Sequence, residues 1–238
     1  MQETKSPPYQ LISVFSILIL VIVTWGFFRT YLVFFPDFKG FNMAQHFHGA
    51  MLMIWMLMLI VQPLLIRSGR IKLHKAIGKS SYIIAPLVAL SILMVAKMRY
   101  LMPEPQFSQA DKVAGLSLPL PAMIAFAIFY SLAIINKKNT YVHLRYMIGT
   151  ALLMIGPGLG RALIIYFSVP FPVSVTSTLI LATIISVTLA LIDAIRRKGY
   201  TAFAVITLVN LLCLLAWSFR MGEIWQTIGS WFAAIFNA

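Results

Sequence analysis

Long apolar runs alternate with short polar connections along almost the whole chain. Seven runs are each close to the ~20 residues that a helix needs to cross ~30 Å of hydrocarbon. Their residues do not alternate between apolar and polar, as the strands of a barrel would. The pattern predicts an all-α, polytopic membrane protein in which 1–238 form a single transmembrane domain. The predicted spans are 11–35, 43–66, 79–101, 113–135, 146–168, 172–194 and 200–219.

The C-terminal segment, 221–238, has a different pattern. Apolar and aromatic residues recur in it at helical spacing, and the segment is short for a span. We expect an amphipathic helix that lies in the interface on the outer side of the membrane, with an eighth, short span as the alternative. The residues of the expected apolar face are Ile224, Trp225, Ile228, Trp231, Phe232 and Ile235.

Composition and charge agree with a membrane protein. The chain is 61% hydrophobic and 11% charged, and its net charge of +13 would suggest nucleic acid in a soluble protein. Here the bases lie in alternate short connections, which indicates orientation in a membrane and contact with lipids rather than nucleic acid. The basic residues of these connections are Arg67, Arg70, Lys72, Lys75, Lys79, Lys137, Lys138, Arg145, Arg196, Arg197 and Lys198.

This charge pattern, together with Lys5, predicts a bacterial cytoplasmic membrane protein with its N-terminus in the cytoplasm and its C-terminus outside. The first apolar run lacks the small-residue cleavage signature of a signal peptide, so we expect an uncleaved span. Cys213 is the single cysteine, which excludes an intramolecular disulfide.

Two of the four histidines, His46 and His48, directly precede the second apolar run. On a helix they point about 200° apart, so only one can face the bundle interior. His48 shares a stripe with Trp55 and Gln62, which predicts that His48 points inward and His46 lies at the rim. For His48, a hydrogen-bonded interfacial histidine and a cofactor ligand both remain open.

The fifth run contains Gly156-Pro157-Gly158-Leu159-Gly160-Arg161, which predicts a break in the helix. Arg161 cannot lose its proton, so it must reach the interface, pair with an acid or bind an anion such as a haem propionate or a lipid phosphate. We expect it at the depth of His48, which favours a shared outer cavity. The candidate acidic partners are Asp37, Glu104, Asp111 and Glu223.

The remaining two histidines, His74 and His143, lie near the cytoplasmic starts of spans, about one membrane thickness from His48. Two histidines from different helices are the minimum protein set for a six-coordinate haem. Gly78, one turn after His74, would leave room for a flat ring. Polar groups near helix starts, a metal ion or a quinone contact are the rival interpretations, although zinc would require a third ligand.

Two patterns carry a resemblance. Gln62 followed by Leu73-His74-x-x-x-Gly78-Lys79-x-x-Tyr82, and His143-x-x-Tyr146-Met147 followed by Arg161, resemble an uncharacterised family of predicted bacterial multipass membrane proteins. That family usually has Trp in place of Tyr146 and a second Arg in place of Gly149. The resemblance implies a shared polar set of Gln62, His74, His143 and Arg161. It implies no reaction.

These residues favour a membrane protein of respiratory electron transfer that binds haem b or a quinone in a bundle pocket. The candidate cofactor-binding residues are His48, Gln62, His74, His143 and Arg161. The rival functions are an accessory subunit of a larger membrane complex and a transporter that uses the break at Pro157. Phosphate loops, serine elbows and cysteine pairs are missing from the sequence.

Overall fold

The computed structural model describes residues 9–103 and 105–237, so Lys5 and Glu104 lie outside the described residues. Within these ranges seven stretches are long and apolar enough to cross a membrane, and a shorter C-terminal helix follows them. The predicted fold class is therefore confirmed. The helices are α1 (Tyr9–Phe28), α2 (Met43–Arg67), α3 (Ile71–Leu101), α4 (Gln109–Gly115), α5 (Pro119–Ile135), α6 (Thr140–Leu152), α7 (Ile155–Phe167), α8 (Phe171–Ile195), α9 (Thr201–Ser218) and α10 (Glu223–Asn237).

Proline divides two of the spans into pairs of helices. α4 ends at Gly115, four residues before Pro119. α6 ends at Leu152, five residues before Pro157. A proline has no N–H for the carbonyl four residues earlier, and its ring clashes with that carbonyl. The fourth span is therefore α4 plus α5, and the fifth is α6 plus α7.

Two helices begin earlier than the apolar pattern predicts. α3 begins at Ile71 rather than at 79, and α6 begins at Thr140 rather than at 146. Charged side chains end an apolar run without ending a helix, because their stems can pack while their heads reach water. The Asn139 side chain caps α6 by accepting from the Val142 N–H, at 3.3 Å. His74 and His143 consequently lie on helices.

The bundle has two ends with different chemistry. The connections between α2 and α3, α5 and α6, and α8 and α9 meet at one end, which we call the basic end because it carries Arg67, Lys137 and Arg196. The remaining connections lie at the opposite end. The core between them is apolar, and Trp55 and Phe129 are its largest fully buried side chains.

α10 packs against α3 and α4 rather than lying free. The Trp225 Nε1 donates to the Val113 carbonyl oxygen at 3.1 Å, and Phe236 is buried nearby. Ile224 and Trp231 of the expected apolar face are 80% and 70% exposed. Part of that face therefore packs against α3 and α4, and the rest is exposed on the surface of the bundle.

Candidate functional site

A glutamine joins α2 to the first turns of α3. With the Gln62 amide oriented so that its oxygen accepts from the Gly78 N–H at 3.1 Å, its nitrogen donates to His74 Nδ1 and to the His74 carbonyl oxygen, the latter at 3.2 Å. The opposite orientation would place oxygen against oxygen and N–H against N–H. His74 Nδ1 is therefore an acceptor, and its proton lies on Nε2.

Gly78 lies beside this glutamine. A Cβ added at Gly78 would lie 4.0 Å from the Gln62 amide atom that faces it, which is the oxygen in this orientation. Gln62 thus occupies the side of Gly78 that the sequence pattern left for a flat ring. Gln62, His74 and Gly78, which share one of the two sequence patterns, thus contact one another, and an amide lies against the glycine.

His143 has the opposite proton placement. Its Nδ1 lies 2.8 Å from the Ala133 carbonyl oxygen near the end of α5. A carbonyl only accepts, so His143 Nδ1 carries a proton, and in the neutral ring the lone pair is on Nε2. His74 and His143 lie in the first turns of α3 and α6 at the basic end, and both rings are half-buried. We call Gln62, His74 and His143 the histidine site.

A polar chain connects the histidine site to the core. Ser81 Oγ donates to the Gly78 carbonyl oxygen at 2.6 Å, so the Tyr130 hydroxyl, 2.9 Å from Ser81 Oγ, is the donor of that contact. The Tyr130 ring packs edge-on against Trp55, with centroids 5.5 Å apart. Sequence reasoning missed Ser81 and Tyr130, because nothing in their spacing indicates that α3 meets α5 here.

His48 lies in a different part of the bundle from the histidine site. Its Nδ1 lies 3.0 Å from Ser91 Oγ, and Ser91 donates its own proton to the Val88 carbonyl oxygen at 2.7 Å. His48 is therefore the donor to Ser91. His48 precedes Gln62 by fourteen residues of one helix, about 21 Å at ~1.5 Å per residue. It cannot share one small ligand with the histidine site.

His46 lies at the opposite end in an aromatic cluster. Its Nδ1 is 2.6 Å from the Tyr31 hydroxyl, and its ring centroid lies 5.2 Å from that of Phe38. These contacts agree with the predicted rim position of His46.

Arg161 contacts the end of α1. Its Nη1 lies 3.4 Å from Thr30 Oγ1, and its guanidinium carbon lies 4.4 Å from the Phe27 ring centroid. Among residues 9–103 and 105–237, neither a carboxylate nor His48 forms a bond with it. Of its candidate partners, Asp111 caps α4 through Ser108, and Glu104 lies outside the described residues.

The break before α7 is packed tightly against α1. A Cβ added at Gly158 would lie 2.8 Å from Val23 Cα, and one added at Gly26 would lie 2.0 Å from the Gly158 carbonyl oxygen. The Ser174 hydroxyl donates to the Gly160 carbonyl oxygen at 2.7 Å. Glycines around Pro157 therefore allow close helix contact at this point.

One buried ion pair differs from the sequence prediction. The sequence predicts Arg145 in a basic connection, and Asp193 precedes Arg196 and Arg197 along the chain. Instead both are buried, and Arg145 binds Asp193 through Nε and through Nη2, the latter 2.8 Å from Oδ1. Asp193 is the single acid within the predicted spans, and its need for a cation was the signal that could have found this pair.

No cluster of three histidine, cysteine or acidic side chains suited to a metal ion occurs in the part of the chain that the structure describes. No family model, curated protein or solved structure matches the chain. The resemblance to the uncharacterised family stays a prediction.

Proposed function

We propose that this polytopic membrane protein binds the headgroup of a quinone and its quinol at the histidine site. The proposal rests on the opposite proton placement that hydrogen-bond partners give to two histidines at the basic end of the bundle. His74 carries its proton on Nε2, and its ring also bonds the Gln62 backbone, whereas His143 has a lone pair on Nε2 in its neutral form. One donor and one acceptor at the end of a bundle suit a ligand that interchanges carbonyl and hydroxyl oxygens.

The two redox forms use the site differently. A quinone carbonyl accepts from His74, whereas a quinol hydroxyl can also donate to His143. Both rings are half-buried, so a membrane-dissolved ligand reaches them without crossing the bundle. In this proposal the chain serves a respiratory system of the bacterial cytoplasmic membrane, and a partner redox protein exchanges electrons with the quinone.

The same proton positions suit haem b less well than a quinone. Iron requires an unprotonated nitrogen from each axial histidine, and the amide of Gln62 fixes the His74 proton on Nε2. His48 presents a free Nε2 but lies about 21 Å along α2 from Gln62. Binding of iron by His74 Nε2 would require the Gln62 amide to rotate by half a turn. Its N–H groups would then face the Gly78 N–H, which is unfavourable.

A transporter and an accessory subunit have weaker support. A transporter would use the break before α7 as a moving part, but α1 packs against that break at Gly26 and Gly158. An accessory subunit would use the histidines for contacts with partner chains. In that case the purified chain alone would bind no quinone.

The test is a titration of the detergent-purified chain with a short-chain quinone and, under reducing conditions, with its quinol. His74→Ala should weaken the binding of both forms about tenfold, the effect of one lost hydrogen bond. His143→Ala should weaken quinol binding by a similar factor and leave quinone binding within about twofold. His46→Ala, at the opposite end, is the matched control and should change neither affinity.

Equal affinities of wild type, His74→Ala and His143→Ala would refute the quinone proposal. Purified wild-type protein with a Soret band that His74→Ala removes would replace the quinone with haem.

A further inference from the structure

Two arginines connect α1 and α7 at the opposite end of the bundle. Arg29 follows α1 directly, and its guanidinium carbon lies 5.3 Å from the centroid of the Tyr166 ring on α7. Arg161 reaches in the other direction, from α7 to Phe27 and Thr30 of the α1 end. Each guanidinium therefore lies over an aromatic ring of the neighbouring helix, an arrangement that fixes its plane.

Neither guanidinium has a carboxylate partner among the described residues. Both side chains are exposed, and Arg161 makes its 3.4 Å contact with Thr30 through Nη1 alone. A guanidinium carries five N–H donors in a rigid fork, so most donors of this pair stay available to an incoming acceptor. The acceptor that such forks bind in two-point fashion is a carboxylate or a phosphate.

The depth of the pair favours a lipid. Trp25 stacks on Tyr166 with centroids 5.2 Å apart, and Phe167 lies edge-on to Trp25. Such aromatic belts mark the boundary between hydrocarbon and headgroups. Arg161 precedes the last residue of α7 by six residues, about 9 Å at ~1.5 Å per residue. Its side chain extends from that depth to the α1 terminus, where the aromatic belt leads us to expect the phosphates of lipid headgroups.

We infer that Arg29 and Arg161 together bind the phosphate of an anionic phospholipid at this end of the bundle. The acyl chains of the lipid would lie along the apolar surface of α1, where Val21 and Leu18 are exposed. This site is separate from the histidine site and does not depend on the proposed quinone function.

The test uses the full chain in detergent, with native mass spectrometry and thermal unfolding as readouts. Phosphatidylglycerol should be retained about tenfold more strongly than phosphatidylcholine of the same acyl chains, and it should raise Tm more. Arg29→Gln with Arg161→Gln should abolish this preference. Arg67→Gln with Arg70→Gln, at the basic end, is the matched control and should keep most of it.

Arg161→Lys tests the fork itself. It keeps the charge, so a preference reduced by several-fold is expected from the loss of two-point binding. A double glutamine variant that folds and retains the wild-type preference would overturn the inference. Inorganic phosphate that raises Tm as much as phosphatidylglycerol would also overturn it, because the site would then take a soluble anion.

Discussion

At the scale of single residues, hydrogen-bond partners determine what each histidine can bind. Ala133 and Ser91 accept from His143 and His48, whereas the Gln62 amide donates to His74. Three histidines on hydrophobic helices thus have two different proton placements, and the one beside a glutamine differs from the rest. This difference converts two similar rings at the basic end into a donor and an acceptor.

Gln62→Met removes the amide that fixes the His74 proton. His74 should then populate both neutral forms, and quinone affinity should fall between about twofold and tenfold. Gln226→Met is the control, because the Gln226 amide nitrogen likewise donates two hydrogen bonds but lies at the opposite end, against the Ala110 and Arg220 carbonyl oxygens. Wild-type quinone affinity in Gln62→Met would show that the amide does not set the site.

Asp193→Asn leaves the buried Arg145 guanidinium without its counter-charge. The expected loss of stability is about 3–5 kcal/mol, the usual result of breaking a buried pair from one side. Thermal unfolding in detergent measures it as a lowered Tm. Glu223→Gln, at an exposed position in the first turn of α10, should change the stability by no more than about 0.5 kcal/mol.

A Tm of Asp193→Asn equal to that of the wild type would mean that Arg145 finds water or another acceptor. The buried pair would then contribute nothing to the fold.

At the scale of helices, proline and glycine determine where the spans bend and how closely they pack. Pro157 interrupts the fifth span, and the glycines beside it allow the α7 backbone to approach α1 at Gly26. Small residues are the usual means of close helix contact in membranes, where apolar burial between helices gives little advantage over lipid.

Gly158→Ala places a methyl group 2.8 Å from Val23 Cα, closer than side chains pack. The helices must separate, which should cost about 1–3 kcal/mol and lower Tm. Gly49→Ala is the control, because no atom lies within 4 Å of the added Cβ and alanine favours helix. Unchanged Tm in Gly158→Ala would mean that α1 and α7 have room to adjust.

The hydrophobic pattern predicted the seven spans and the C-terminal helix, because length and apolarity determine which segments can cross a bilayer. The family resemblance predicted Gln62, His74, His143 and Arg161 as one polar set, but Arg161 lies at the opposite end of the bundle, against Thr30 and Phe27. The hydrophobic pattern could not predict the Arg145–Asp193 pair or the Ser81–Tyr130 contact, since both depend on which helices are neighbours. The spacing of apolar residues along each helix says almost nothing about which other helices it contacts.

At the scale of the whole molecule, the basic connections give the bundle a direction. Positive residues concentrate at the end that holds the histidine site, and the paired arginines Arg29 and Arg161 lie at the far end. The positive-inside rule then predicts that the histidine site faces the cytoplasm and the arginine pair faces outward. The two proposed sites therefore belong to different membrane leaflets.

Cysteine labelling in intact bacterial cells tests that direction. On a Cys213→Ser background, Lys39→Cys should react with a membrane-impermeant maleimide, and Lys138→Cys should react only after the cells are opened. The two positions lie in connections at opposite ends. The reverse pattern would place the histidine site outside and contradict the predicted orientation.

Quinone binding at the histidine site depends on the opposite proton placement of His74 and His143. Residue-assigned ¹⁵N NMR of the imidazole nitrogens in lipid bilayers, with and without quinone, measures both directly. We predict a protonated Nε2 for His74, a protonated Nδ1 for His143, and a shift of the His74 Nε2 signal when quinone is added. The same protonated nitrogen in both rings, or a His74 signal that quinone leaves unchanged, would contradict the account.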